Sequence, residues 1–399
     1  MARQAGRAQA SADSASSRAL FCLLFGAGTS VYFVLPIWAG IFEEQFGFSA
    51  AQIGLLLSAD MSSNTAAILL ARLWLHRVHF RHAILGALAV YVFGNLACLG
   101  IGEFAPLLSL RYVVGFGMGT MVSAAVAGIG ATERPDRNFG FALSVQVALG
   151  GALLFATPLL IRVGGIASYY VVFSVVMCSV LFLLRTVPAS FEKVSSAPGA
   201  SGLGLTGPLL LAFAGVAVFF VGMNGFWSFA ERIADQGGLR ADFVSTTLAV
   251  SVLVSVLGSL LAAWMSDRYG RIGPIAIGVA IAIGSIALLL LEPSNWLFVA
   301  AINGFNLMYN FIIPFQSGWI ADLDATGRNI TLLPAIQGGG ISLGPIVAGT
   351  LIAGTNYISV IYMSMFFLSL SALTYGVLRL LVSGRAQAER PPAPASPPA

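Results

Sequence analysis

The chain has 399 residues, of which 58% are hydrophobic and only 9% are charged, and its formal net charge is +4. Soluble domains carry about 25% charged residues, and a folded soluble protein of this length could not hide so much apolar surface from water. The composition therefore excludes a soluble protein. It predicts an all-α membrane protein, because helices satisfy their own backbone hydrogen bonds in lipid.

Apolar runs along the chain are long enough to cross a bilayer core of about 30 Å, which requires about 20 helical residues. Taken in order, they predict twelve transmembrane helices, which we number as spans 1 to 12. The first six spans lie at 19–41, 51–74, 83–102, 105–131, 139–163 and 168–187. The other six lie at 208–230, 243–266, 273–291, 296–320, 330–354 and 357–382.

The stretch 188–207 is rich in Ser, Gly and Pro, which is typical of a flexible cytoplasmic linker. It separates an N-terminal six-helix bundle at 19–187 from a C-terminal six-helix bundle at 208–382. A polar cytoplasmic tail at 1–18 precedes the first bundle. A Pro-rich tail at 383–399, which we expect to be disordered, follows the second.

The two halves match in sequence at a separation of 191 residues. Arg137-Asn138 and the later Gln146 recur in the second half as Arg328-Asn329 and Gln337. Shared apolar composition does not place polar residues at one common offset. We therefore predict two pseudo-symmetric six-helix bundles, the plan of transporters built from parallel repeats.

The distribution of Lys and Arg predicts the orientation in the membrane. With both termini in the cytoplasm, sixteen of the twenty Lys and Arg residues lie on the cytoplasmic side. Arg162, Arg232 and Arg240 lie outside, and Arg111 lies within span 4. Positive residues stay on the cytoplasmic side during insertion, so the net charge reflects topology and indicates no nucleic acid partner. We call the opposite side the outer end.

One cytoplasmic loop, between spans 8 and 9, reads AWMSDRYGR over residues 263–271. It resembles the G-x-L-x-D-R-x-G-R loop of the major facilitator superfamily, and the resemblance extends over about residues 18–382. The resemblance implies that Asp267, Arg268, Gly270 and Arg271 form a gating loop that latches neighbouring helix ends in the outward-open state. A plain basic turn is the alternative. The first-half counterpart has Leu75 in place of the acid, which puts a latch there in doubt.

Span 4 carries Arg111-x3-Gly115-x-Gly117-x-Gly119, which is similar to the R-x3-G-x-G pattern of span 4 in the superfamily. Such glycines allow helices to approach closely. In the superfamily this arginine takes part in proton coupling or substrate handling. Span 5 departs from the superfamily's antiporters, because it lacks their contiguous Gly-Pro pair.

Ionisable residues well inside the spans are few, and an intramembrane charge marks either function or a pair. Asp60 of span 2 lies about 14 Å below the outer end, and Arg111 lies about 9 Å below it, at the helical rise of 1.5 Å per residue. Their depths allow them to pair. The functional interpretation makes Asp60 a proton carrier coupled to Arg111, and the alternative is a structural ion pair.

The candidate substrate-binding residues are polar or aromatic side chains in spans that line the superfamily's central cavity or flank it. Asn303, Asn306 and Asn310 share one face of span 10, where they either meet substrate or bond helix to helix. Aromatic residues near span ends are otherwise typical of the interfacial belt. The full set is Arg111, Tyr32, Gln146, Asn224, Trp227, Asn303, Asn306, Tyr309, Asn310 and Gln337.

The sequence predicts a secondary active transporter that moves a small organic solute by alternating access with proton coupling. The buried Arg111 favours an organic anion. Proton-driven efflux of amphipathic compounds and a non-transporting membrane sensor with the same fold are the alternatives. No phosphate-binding loop or catalytic motif indicates an enzyme. We expect no cofactor or metal site, a monomer, and a multi-pass location in the bacterial cytoplasmic (inner) membrane.

Overall fold

The computed structural model describes residues 13–184, 205–291, 294–324 and 329–388. In these ranges the regular elements are helices. They are α1 (Ala15–Ser30), α2 (Leu35–Phe46), α3 (Ala50–Trp74), α4 (Phe80–Ala97), α5 (Phe104–Gly130), α6 (Pro135–Cys178), α7 (Val180–Leu184), α8 (Gly207–Gln236), α9 (Ala241–Met265), α10 (Ile272–Ala287), α11 (Asn295–Leu323), α12 (Leu333–Leu351) and α13 (Ile358–Ala388). Short 3-10 turns connect several of them.

Ten helical segments among the described residues are long and apolar enough to cross a membrane, so the chain is an integral multi-pass membrane protein. The sequence predicts twelve. One of the ten, Arg137–Leu184, is 48 residues long and covers predicted span 5 and the part of predicted span 6 up to Leu184. Its backbone leaves helical geometry at Gly164 and at Gly165, where φ is 59°. The helix α12 is not among the ten, because its glycines, prolines and Gln337 lower its mean hydropathy.

Local sequence explains where the first helices begin and end. A 3-10 turn at Val31–Val34 separates α1 from α2, and Pro36 stands in the first turn of α2, where its missing N–H has no partner to lose. Gly47 ends α2 with φ 64°. Ser49 and Gln52 then form a capping box that starts α3.

Helix packing repeats between the two halves. The helix α3 packs on α5 and α4 packs on α5, just as α9 and α10 pack on α11. The first helix α1 packs on α6, and α8 packs on α12 in the same manner. Contacts of α3 with α12, of α6 with α9 and of α2 with α8 join the halves directly.

The ends of the predicted domains fall partly outside the described residues. This applies to 1–12 of the N-terminal tail, to 185–204 of the predicted linker, and to 389–399 of the predicted disordered tail. The last helix α13 continues to Ala388, beyond the predicted end of span 12 at 382.

Candidate functional site

Asp60 of α3 and Arg111 of α5 form a buried ion pair. Their exposed fractions are 3% and 2%. The Arg111 Nε and Nη2 atoms donate to Asp60 Oδ2 at 3.0 and 2.5 Å. The pairing that their depths allow is thus present in the structure. The other carboxylate oxygen, Asp60 Oδ1, is buried and accepts no hydrogen bond from the described residues.

Two glycines of α5 bring it close to α3 at the level of this pair. A Cβ at Gly115 would lie 2.6 Å from the Asp60 carbonyl oxygen, and one at Gly119 would overlap the Asn64 carbonyl oxygen. Only glycine permits this approach, because any side chain at these positions would hold the two helices further apart. The glycine pattern of span 4 therefore positions Arg111 against Asp60.

The Arg111 guanidinium has further partners that the sequence analysis missed. Its Nη1 donates to Asn95 Oδ1 of α4 at 3.0 Å. The Trp38 ring of α2 covers it, with 4.5 Å from Cζ to the ring centroid, and the Tyr170 ring of α6 lies at 5.8 Å. Asn95 could have been found from the sequence, because it is an amide inside the apolar span 3. Trp38 could not, because its position near the end of span 1 is also typical of an interfacial tryptophan.

The equivalent place in the second half holds neutral residues. Asn306 Nδ2 of α11 donates to Ser251 Oγ of α9 at 2.9 Å, and Asn310 Nδ2 donates to Ser255 Oγ at 2.8 Å. These positions stand 191 residues after Gly115, Asp60, Gly119 and Asn64 respectively, the separation found in the sequence. Both asparagine side chains thus bond helix to helix, and their amide nitrogens are engaged with α9.

Several other candidate residues gather where the two halves meet. Trp227 Nε1 of α8 donates to the Tyr32 carbonyl oxygen at 3.1 Å, which links the halves. Tyr32 lies within electrostatic range of both Asp60 and Tyr309. Tyr309 of α11 faces the Asn224 side chain of α8. These contacts form a neutral, mostly aromatic group of side chains at the interface.

Phenylalanines of α8 and the remaining amides complete this region. The Tyr309 ring centroid lies 6.2 Å from that of Phe219 and 5.7 Å from that of Phe220. Asn303 donates to a backbone carbonyl of its own helix, and its Oδ1 is buried without a partner among the described residues. Gln146 on α6 and Gln337 on α12 are partly exposed.

The sequence profile that describes the Major Facilitator Superfamily matches residues 20–316, about three quarters of the chain. The chain belongs to the Major Facilitator Superfamily. It is therefore a transporter-type membrane protein and not an enzyme. No curated protein matches this chain in sequence.

Solved structures of superfamily transporters share the fold. A mutant of the nucleoside transporter NupG superimposes with a TM-score of 0.74 at 11% identity, covering 90% of this chain and 99% of its own. Another NupG structure gives 0.73 at 13% identity, with coverages of 92% and 98%. An inward-facing, unoccupied bacterial homologue of the human lysosomal transporter Spinster gives 0.65 at 17% identity, with coverages of 94% and 96%. At these identities the likeness concerns the fold alone.

The loop that resembles the superfamily's gating loop contacts the end of α11. Arg271 makes two hydrogen bonds to Asp322, Nε to Oδ2 at 2.5 Å and Nη2 to Oδ1 at 3.0 Å. Arg268 lies over the Trp264 ring at 5.9 Å. Gly270 has φ 65°, a conformation that favours glycine. The Asp267 side chain lies outside the described residues.

A charge cluster where α2 meets α8 joins the two halves of the chain, and the sequence analysis did not single it out. Arg232 of α8, only 5% exposed, donates to Glu44 Oε1 of α2 at 2.7 Å and lies 3.5 Å from Glu43 Oε2. Its neighbour Glu231 accepts a bond from Arg232 Nε at 2.7 Å. The Tyr357 hydroxyl donates to Glu43 Oε2 at 2.6 Å. These contacts join α2 to α8 and to Tyr357, the residue that precedes α13.

Proposed function

We propose that this chain is a secondary active transporter that moves a small organic solute by alternating access, coupled to protons through Asp60. In this proposal twelve helices form two bundles in a bacterial inner membrane, the termini are cytoplasmic, and the monomer is the working unit. The observation that carries the proposal is the buried Asp60–Arg111 pair, in a chain that belongs to a superfamily of transporters.

The two carboxylate oxygens of Asp60 would have different tasks. Oδ2 holds Arg111, whereas Oδ1 has no partner among the described residues and could accept a proton without displacing the arginine. Protonation removes the carboxylate charge and weakens the ion pair. An ionisable residue at this depth is the usual place for such a proton relay.

The helix α3 offers a route from this proton site to the interface between the halves. It carries Asp60 on the side that faces α5, and it also packs on α12 of the other half. Gly54 of α3 packs closely on Pro345, and Gly338 of α12 packs closely on Thr65. A change in the α3–α5 contact would therefore alter a contact that must rearrange during alternating access.

The charge cluster around Arg232 supports alternating access in a second way. Arg232 comes from one half and Glu43 and Glu44 from the other, so opening the outer end separates the buried guanidinium of Arg232 from these carboxylates. The exposed Arg162–Asp242 pair also joins the halves there. In this proposal these contacts close the outer end, and transport requires their release.

The neutral group at the interface is the proposed substrate region, with Tyr32, Asn224, Trp227 and Tyr309 at its centre. At its edges would lie Gln146, Asn303 and Gln337. The amide nitrogens of Asn306 and Asn310 bond to α9, so these two residues would offer substrate only their side-chain oxygens. Arg111 is enclosed by its partners, so an organic anion would reach it only by displacing Asp60. The nucleoside named for NupG is the first neutral probe to test.

The experiment is solute accumulation by proteoliposomes under an imposed pH gradient. The panel starts with uridine and adenosine and pairs nicotinamide with nicotinate. We expect acid-outside vesicles to accumulate at least one member, and Asp60→Asn/Arg111→Gln to exchange the same solute without responding to the gradient. The double variant removes both charges and so avoids an unpaired buried arginine.

Other outcomes would contradict the proposal in distinct ways. Gradient-driven accumulation by the double variant at the wild-type level would remove Asp60 from coupling. Movement only against an inward proton flow would favour efflux of amphipathic compounds. A wild-type protein that moves no solute under any gradient would favour the non-transporting sensor.

A further inference from the structure

The Arg111 guanidinium is held by two neutral groups as well as by Asp60. Asn95 Oδ1 accepts from Nη1 at 3.0 Å, and Trp38 covers the cation at 4.5 Å. The Asn95 amide is fixed in this orientation, because its Nδ2 donates to the Tyr91 carbonyl oxygen at 3.0 Å. Asn95 and Trp38 are each only 2% exposed.

Arg111 poses a physical difficulty for any proton cycle at Asp60. A guanidinium does not release its proton in a protein, so it stays charged when Asp60 becomes neutral. A buried charge without its partner is strongly unfavourable. The amide oxygen of Asn95 and the face of the Trp38 ring stabilise a cation without carrying a charge that titrates.

We infer that Asn95 and Trp38 form a neutral cradle that keeps Arg111 in place while Asp60 is protonated, and so set the pH at which Asp60 exchanges its proton. Both act through Arg111 and are positioning residues. The inference rests on the proposed function, because it concerns the same proton site. It explains why a span-3 amide and a span-1 indole converge on one buried cation.

Among the described groups that face the pair at neutral pH, Asp60 is the one carboxyl group. Arg111 faces it from α5. Tyrosine and cysteine side chains, which are neutral at that pH, face it from the other elements: Tyr32 from the turn before α2, Tyr91 and Cys98 from α4 and its end, and Tyr169 and Tyr170 from α6.

The test is pH-difference infrared spectroscopy of the full chain in liposomes. The carbonyl band of protonated Asp60 is assigned by its loss in Asp60→Asn/Arg111→Gln. Asn95→Leu should lower the midpoint of this band by about one pH unit, the size of a hydrogen bond to a charged group, because Arg111 then depends more on ionised Asp60. Trp38→Leu should shift the midpoint in the same direction.

Asn95→Asp changes the charge with little change in size and should shift the midpoint upward. Two carboxylates would then share one arginine, and like charges disfavour ionisation of both. This variant also decides the question if Asn95→Leu does not fold. Asn138→Leu is the matched control: Asn138 is equally buried at 2%, but its amide bonds to Thr132, so its midpoint should stay at the wild-type value.

Midpoints that stay at the wild-type value in both Asn95→Leu and Asn95→Asp would overturn the inference while leaving Asp60 as the proton site. Equal shifts in the same direction for both variants would overturn it as well, because a general packing defect would explain them. A band that survives in Asp60→Asn/Arg111→Gln would instead contradict the proposed function.

Discussion

The contact between α3 and α5 in the first half and the contact between α9 and α11 in the second use the same geometry for different chemistry. In the first, Asp60 and Asn64 face Gly115 and Gly119. In the second, small serines of α9 receive hydrogen bonds from asparagines of α11. The larger polar residues lie on the first helix of the pair, α3, in the first half, and on the second helix, α11, in the second half. Of these two contacts, only the one between α3 and α5 is charged.

This difference shows how a repeat can keep its packing while one copy gains a titratable site. A neutral Ser–Asn pair holds two helices together at any pH. An Asp–Arg pair at the equivalent level holds them together more strongly while the carboxylate is ionised. The predictions below disrupt the two contacts in parallel, and we expect unequal results wherever the charge matters.

The largest effect should follow the removal of one charge. Asp60→Asn leaves buried Arg111 without a carboxylate, which typically costs about 3–5 kcal/mol of stability. Arg111→Gln should cost less, because Asp60 can take up a proton and become neutral. Asp60→Asn/Arg111→Gln should recover most of the loss. Reversible unfolding in mixed micelles measures this order, and three equal losses would mean that charge is not the cause.

Close packing should matter equally in both halves. A Cβ at Gly119 would overlap the Asn64 carbonyl oxygen, and one at Gly258 would overlap the Leu307 carbonyl oxygen. Gly119→Ala and Gly258→Ala should each lose about 1–3 kcal/mol, the usual cost of overpacking. Gly284→Ala is the control, since its Cβ meets no atom within 4 Å. The rate of thermal inactivation in detergent measures these losses. Equal rates for wild type and all three variants would contradict the prediction.

The smallest effect should follow disruption of the neutral pairs. Ser251→Ala and Ser255→Ala each remove one interhelical hydrogen bond, worth about 0.6 kcal/mol on average in a membrane protein. Neither should alter the pH dependence of transport, because neither pair titrates. Uptake measured over a pH series checks this, and a displaced pH profile in either variant would show that coupling extends into the second half.

Sequence reasoning anticipated the features that depend on periodicity and on rare residue types. Long apolar runs predicted the helices, and two charges at similar depth predicted the Asp60–Arg111 pair. The glycines at 115 and 119 predicted close approach. Each of these conclusions needed only one element, or two elements with known depths.

The missed features depend on which helices are neighbours. Asn95 and Trp38 become partners of Arg111 only because α2 and α4 surround α5, and a single sequence does not specify that arrangement. The charge cluster around Arg232 likewise needs α2 beside α8, which places Arg232 next to Glu43 and Glu44. The asparagine face of span 10 illustrates the same limit, because its spacing fitted both a substrate surface and a helix contact.

The most direct test of the account is the proton movement that accompanies solute entry. Proteoliposomes with a pH-sensitive dye inside are given the transported solute without an imposed gradient. The account predicts internal acidification as solute enters wild-type vesicles, and solute entry with no acidification in Asp60→Asn/Arg111→Gln. Equal acidification in both would contradict the claim that coupling depends on the charged pair of the first half.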